Sequence, residues 1–195
     1  MAITTGILLF DDVEELDFAG PFEVLGMART EGDSVVTIAE RREPIRGAKG
    51  MRVLPDHTFD DAPPLDVLVV PGGWGTRREA ENKVLLDWIA AVAPACTWVT
   101  SVCTGTFLLH AAGPARGKQL TTHWSSIGRL RDQPETTVHE NVRYVRDGNV
   151  VTAAGVSAGI DMALWVVGQI YGVEHARFTQ YAMEYHPAPP YAALV

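Results

Sequence analysis

The sequence predicts an α/β fold, a mainly parallel sheet sandwiched by helices on both faces. Three observations lead there. Short β-branched apolar runs alternate with helix-period segments, the links between them are short, and the runs "DVLVV" and "TWVTSV" are apolar with no alternation. Unbroken apolar strands suit a sheet covered on both sides, which is what alternating strands and crossover helices build.

In order, "TGILLF" reads as a strand and "AGPFEVLGMAR" as a helix with Pro21 in its first turn, where a missing N–H is tolerated. "SVVTIAE" is a second strand. "PIRGAKGMRVLPDHTF" reads as a hairpin excursion turning at Gly47 and Gly50. "LDVLVVPGG" is a buried strand ending in a glycine pair, "NKVLLDWIAAVA" an amphipathic helix, and "CTWVTSV" the next buried strand. "KQLTTHW" follows as a strand, and "NVRYVRDGNVVTAAG" as a hairpin turning at Asp147-Gly148. "SAGIDMALWVVGQIYG" and "VEHARFTQYAMEY" close the chain as helices, and the Pro-rich "HPAPPYAALV" is expected to be extended. With 195 residues and no linker, repeat or low-complexity segment, one domain over residues 1–195 is expected.

Composition excludes several classes. A formal net charge of −8 and no basic block argue against a nucleic-acid partner. No Cys/His set has zinc-ligand spacing, no apolar run is long enough to span a bilayer, and "MAITTGILLF" enters a strand without a cationic signal segment. The two cysteines, Cys96 and Cys103, are expected at opposite ends of one strand, too far apart to bridge. Free thiols in an acidic chain without an export signal point to the cytoplasm.

Sites in open α/β sheets form beyond the carboxyl ends of strands, so the segments Asp11 to Gly20, Pro71-Gly72-Gly73 and Ser101 to Gly105 are the places to look. In "TWVTSVCTGTFLLHAAG" the strand pattern ends at Val102, helical spacing begins after Thr104, and Cys103 sits on the hinge. A strand-to-helix elbow projects its side chain upward and turns the next N–H toward the same space; the helix N-terminus is expected to lower the thiol pKa. Cys103 is therefore the candidate nucleophile, against the alternative of a small buried hydrophobe. Cys96, opening the strand at its other end, is read as packing. Asp17, in "EELDFAGP", is expected to point inward between buried Leu16 and Phe18, or to serve as a helix N-cap. Glu14 and Glu15 read as a solvated face. His123, in "TTHW", is a candidate acid/base or a structural histidine, and His110 reads as scaffold. His57, His139, His175 and His186 show no partner pattern. Gly155 to Gly159 reads as a tight turn or a close backbone approach to the site, and Trp165 as core rather than pocket wall.

Together "LDFAGPFEVL", "DVLVVPGG", "TSVCTGTFLLHAAG", "GKQLTTHW", "GVSAGIDMAL" and "EYHPAPPY" resemble the ThiJ/PfpI superfamily over essentially the whole chain. The set is most similar to its isocyanide hydratase branch. The resemblance implies a flavodoxin-like, class I glutamine amidotransferase-like fold and a homodimer. It also implies an enzyme that adds water to a small isocyanide without metal or organic cofactor. Carried over by position, Cys103 is the nucleophile, Asp17 its acid/base partner, and Gly72, Gly73 and Thr104 supply groups that contact the substrate or a developing charge. Peptidase-like members have His after the nucleophile, where this chain has Thr104; glyoxalase or deglycase members use Glu where it has Asp17. Those activities stay open as alternatives. So does a ligand- or redox-sensing module akin to the sensor portion of certain transcription regulators, whose helix-turn-helix part is not expected in a chain ending at Val195.

Overall fold

The computed structural model describes residues 2–188 and has the expected architecture. Strands β1 (Thr4–Leu8), β2 (Ser34–Ala39), β3 (Ile45–Arg46), β4 (Arg52–Val53), β5 (His57–Thr58), β6 (Val67–Val70), β7 (Trp98–Val102), β8 (Gln119–Leu120), β9 (Thr137–Val138), β10 (Tyr144–Asp147) and β11 (Val150–Ala153) alternate with seven helices. The helices are α1 (Glu15–Ala28), α2 (Thr76–Glu79), α3 (Lys83–Val92), α4 (Gly105–Ala112), α5 (Ile127–Arg131), α6 (Ala158–Tyr171) and α7 (Val173–Ala182). The central sheet runs β10-β11-β7-β6-β1-β2-β5, and only the β10–β11 pair is antiparallel. Helices α1, α6 and α7 pack on one another over one face, and α3 packs on α4 over the other. Right-handed crossovers require this division, because β1 leads outward to β2 whereas β6 leads the other way to β7. The crevice between β1 and β6 is thus the topological switch point, beside the end of β7.

All four residues of β6 and the last four of β7 are buried, as apolar strands covered on both faces must be. The β3–β4 hairpin turns at Gly47 and Gly50 as read: the Gly47 N–H donates to the Met51 carbonyl at 2.8 Å, and Gly50 has φ +98°. The β10–β11 hairpin turns one residue later than expected, on Gly148-Asn149, because Asp147 still pairs with Val150 while Gly148 takes the positive φ.

Helix α1 departs most from expectation. It starts at Glu15 rather than Ala19, so Pro21 sits in the second turn and leaves the Asp17 carbonyl without its N–H partner. Leu16 is exposed, while Asp17 and Phe18 are buried. The expected strand "KQLTTHW" shortens to β8, paired with β9 in a separate two-stranded sheet. Cys96 does not open β7: it ends a 3-10 turn at Ala93–Ala95, and the strand begins at Trp98. Both cysteines are free and buried. The tail from Pro189 on, expected to be extended, lies outside the described residues.

The turn after β7 has no spare volume. A Cβ on Gly105 would lie 2.1 Å from the Val70 carbonyl oxygen and 2.7 Å from that of Pro71, neither of which yields as a flexible side chain would. Gly105→Ala is expected to lower unfolding free energy by about 2–4 kcal/mol, from overpacking against backbone. Denaturant titration checks this, and a loss below about 0.5 kcal/mol, the ordinary surface value, would contradict it.

Candidate active site

Cys103 occupies the elbow between β7 and α4 with φ +55°, a left-handed conformation costing a residue with a Cβ about 1–2 kcal/mol. Its surroundings hold it there. The Cys103 N–H is shared between the Ala153 and Ala154 carbonyls, at 3.1 and 2.9 Å. Its own carbonyl accepts the Thr122 hydroxyl at 2.7 Å and lies 3.3 Å from the Thr106 hydroxyl.

The glycine pair after β6 lets this elbow approach closely. A Cβ on Gly72 would fall 2.5 Å from the Thr104 nitrogen and 2.9 Å from Asp17 Oδ2. Gly73, at φ +124°, has no room for a Cβ beside the Asp12 carbonyl and the Glu14 nitrogen, each 2.4 Å away. The donors here are already engaged. The Gly72 N–H donates to Asp17 Oδ2 at 3.0 Å, and the Gly73 N–H to the Thr104 hydroxyl at 3.0 Å. Buried Thr76 completes the clasp, its hydroxyl 3.0 Å from Thr104 Oγ1 and 2.8 Å from the Gly73 carbonyl. Gly73 lines the space above Cys103, and its N–H is engaged by the Thr104 hydroxyl.

Asp17 is fully buried. Glu14 occupies the cap position of α1, and Asp17 lies within the helix, so the N-cap alternative does not hold. One carboxyl oxygen takes the Gly72 N–H, while the other, Oδ1, is buried without a hydrogen-bond partner. Burial, reinforced by the Glu14 charge, pushes the carboxyl up to about 7 against the pull of the Gly72 N–H. Burial and the Asp17 charge push the Cys103 thiol up to about 12, although the Thr104 N–H and hydroxyl act the other way. The expected lowering of the thiol is therefore overturned: the hydrogen bonds from Thr104 act in that direction but burial and the Asp17 charge outweigh them. Cys96 is also raised, to about 11, by burial and then Asp66.

A cavity of about 230 Å³ opens above Cys103, walled by Gly73, Thr104, Glu14, Trp74, His123 and Val156, with Arg77 and Ser125-Ser126 at its edge. His123 caps the short turn Trp124–Ser126, with Nδ1 2.8 Å from Ser125 Oγ, and burial lowers its pKa. Gly155 makes room for its ring: a Cβ there would sit 2.1 Å from His123 Cδ2. Both alternatives for that glycine segment thus apply, since Val156 turns at φ +48° in the cavity wall. His110 is scaffold, its Nε2 3.0 Å from the Pro134 carbonyl, and Trp165 packs edge-on against Trp98 away from the cavity.

Sequence reasoning missed Glu14, Trp74 and Thr76 as parts of the site. The position of Trp74, directly after the glycine pair, was an available signal. Glu14 and Glu15 are not a solvated face. The Lys49 ammonium pairs with the Glu14 carboxylate, and the Lys49 N–H donates to Glu15 at 2.6 Å. Among the described residues no group of His, Cys, Asp and Glu is arranged to hold a metal ion, and no helix is long and apolar enough to cross a membrane.

A parallel α/β sandwich with a cysteine elbow at its switch point and a buried carboxyl beside the thiol defines the class. The chain belongs to the DJ-1/PfpI family, whose profile matches residues 5–169. It is 41% identical over 191 residues to the isonitrile hydratase of Pseudomonas putida, covering 98% of this chain and 82% of that one. A crystal structure of a ThiJ/PfpI family protein from Pseudomonas syringae superposes with a TM-score of 0.91 at 31% identity, covering 98% of this chain and 78% of that one. The HTH-type transcriptional regulator GbdR of Pseudomonas aeruginosa is 27% identical over 173 residues, 87% of this chain but 47% of the regulator.

Burial raises both groups and the Asp17 charge raises the thiol further, so the two titrate as a coupled pair in which the carboxyl ionises first. Between the two, one proton is shared, and the thiolate population is set by how that proton divides. Alkylation of Cys103, followed by mass mapping, is expected to rise through an apparent pKa near 7, and Asp17→Asn should abolish that step. Cys103, which faces the cavity, is expected to label before enclosed Cys96; preferential labelling of Cys96, or a pH profile indifferent to Asp17→Asn, would contradict the pairing.

The same carboxyl has a stability consequence. Its folded value of about 7 lies above the ordinary 3.8, so the fold favours the protonated form, and that stability, complete below about pH 4, is lost as pH rises through 7. Asp17→Asn is expected to unfold later than the native protein near pH 8, by a few kcal/mol, and to show little difference near pH 4. Thermal melts at the two pH values check the sign.

Proposed function

We propose that the chain is a cysteine-dependent hydratase, a lyase that adds water to a small isocyanide to give an N-substituted formamide. One observation carries the reading: a fully buried carboxyl titrating near neutrality, anchored on one oxygen by the Gly72 N–H and leaving the other unpartnered beside the elbow thiol. A general acid/base is most effective when its pKa lies near the working pH, and Asp17 meets that condition. The 41% identity to an isonitrile hydratase supports the choice of substrate class.

In the proposed cycle the Cys103 sulfur attacks the terminal isocyanide carbon as its proton passes to Asp17. The carbon lone pair then takes that proton, giving a thioimidate joined through sulfur to the enzyme. Asp17, again a carboxylate, takes a proton from the water that adds to the same carbon and passes it to the nitrogen. As the tetrahedral intermediate collapses, the C–S bond breaks, the hydroxyl proton passes to Asp17, and the departing thiolate recovers it from Asp17, restoring the thiol and carboxylate. The sum is one isocyanide and one water to one formamide, using only thiol, carboxyl and water. Thr104, fixed by Gly73 and Thr76, holds the elbow, and Gly72 holds Asp17. His123, in the cavity wall with its pKa lowered by burial, lies where a water can be oriented.

A ligand-sensing role is the second reading, favoured by the likeness to GbdR over 87% of this chain. Turnover separates the two. An isocyanide panel with formamide detection is expected to give product, Cys103→Ala to give none, and a folded Asp17→Asn to lose roughly 10²–10⁴-fold in rate. Binding without turnover would favour the sensor; turnover of peptides or methylglyoxal instead would favour the hydrolase or glyoxalase alternatives.

We also propose a homodimer. Leu16, Phe22 and Met27 expose apolar surface along α1, a face suited to a two-fold partner. Light scattering is expected to return twice the monomer mass, and a concentration-independent monomer would overturn it.

A further inference from the structure

One guanidinium group in the lining of the Cys103 cavity, and a second close enough to feel its charge, have no carboxylate partner among the described residues. Arg77 lines the cavity with its guanidinium carbon over the exposed Trp74 ring, 4.1 Å from the centroid, and makes no hydrogen bond or ion pair through its side chain among the described residues. Its neighbour Arg78 is the contrast. That side chain pairs with Glu79 at 2.8 Å and Asp12 at 3.3 Å and donates to the Asp11 carbonyl. Arg129 repeats the pattern of Arg77: it stacks over Phe107 of α4 at 4.2 Å and has no acidic partner among the described residues. Burial and then the Arg77 charge lower its pKa, so the two cations lie in each other's field.

In a chain with 24 acidic residues against 16 Lys and Arg, carboxylates to neutralise such a pair are plentiful, yet none among the described residues pairs with either guanidinium. Glu14, which shares the cavity wall, is held by Lys49, and Asp17 is enclosed behind the thiol. The contacts with Trp74 and Phe107 hold each guanidinium at its ring without using its N–H groups, which leaves them available to a two-oxygen acceptor.

From this arrangement we infer that the cavity selects small substrates carrying a carboxylate a few bonds from the carbon that meets Cys103, with Arg77 as the anchor and Arg129 as its electrostatic support. Joined to the hydratase reading, on which the reaction itself rests, the substrate class is an isocyanide bearing a carboxylate.

Two measurements test this, and only one depends on the reaction. The first compares alkylation of Cys103 in the full chain by iodoacetate and by iodoacetamide, which present similar reactive carbons with and without the anion. Normalised to the same ratio for free cysteine, preference for iodoacetate is expected to be about fivefold, the usual scale of an exposed charge pair, and to shrink as salt is raised. Arg77→Met should bring it close to the free-thiol value, Arg129→Met should lower it by less, and Arg77→Lys should retain part of it. Circular dichroism melts verify that each variant is folded. A ratio equal to that of free cysteine, or one unmoved by Arg77→Met, overturns the anchor. The second compares kcat/KM for isocyanoacetate and its methyl ester, where the acid is expected to be preferred and Arg77→Met to erase the preference. If neither isocyanide turns over while the alkylation ratio still follows Arg77, the hydratase reading fails and the anion site stands. If both turn over with a ratio indifferent to Arg77, the anchor fails and the hydratase reading stands.

Discussion

The site depends on one buried contact, that between the Asp17 carboxyl and the Gly72 N–H. A carboxyl with no exposed surface would normally be neutral, and one with several N–H donors would be firmly ionised. Asp17 has one donor on one oxygen and nothing on the other, so burial and hydrogen bonding leave it poised near neutrality. The same interaction ties the end of β6 to the first turn of α1. The position of Asp17 beside the thiol is therefore set by the join of two elements at the switch point rather than by a flexible loop.

Much of the backbone around this contact is arranged so that three strand ends converge. Gly72 admits the Thr104 nitrogen and the Asp17 carboxyl together, and Gly105 admits the carbonyls of Val70 and Pro71. Gly73 takes a positive φ, and Cys103 does so at an energetic cost that its bifurcated N–H bond and the Thr122 hydroxyl offset. Strain and a half-satisfied buried carboxyl both oppose stability, and both are concentrated where the chemistry is proposed. The rest of the molecule, with its fully buried β6 and the packed helices on each face, supplies what these features cost.

The sandwich and the elbow were legible because both follow from local pattern: unbroken apolar strands, helical spacing, and a Cys-Thr-Gly hinge. What was misread follows largely from one misplacement, the start of α1. The rule that proline favours the first turn set the helix start near Ala19, which turned Asp17 into a candidate cap and Glu14-Glu15 into a solvated loop. The true first turn has no capping side chain to announce it, since Glu14 makes no cap bond. Once the helix begins at Glu15, Asp17 falls on its inward side, and both glutamates reach Lys49 of the β3–β4 hairpin.

The thiol shows a different limit. Thr104, at the start of the helix, does act on Cys103 in the expected direction, but sequence gives no measure of burial or of the distance to the Asp17 charge, and those two effects win. Their victory changes the chemistry being proposed. A cysteine ionised in advance by a helix needs no partner to become a nucleophile, whereas one held as a thiol beside an ionised carboxyl reacts only as its proton moves. The carboxyl that raises the thiol pKa is also the base that can receive that proton, so in this site the obstacle to the thiolate and the route to it are the same residue.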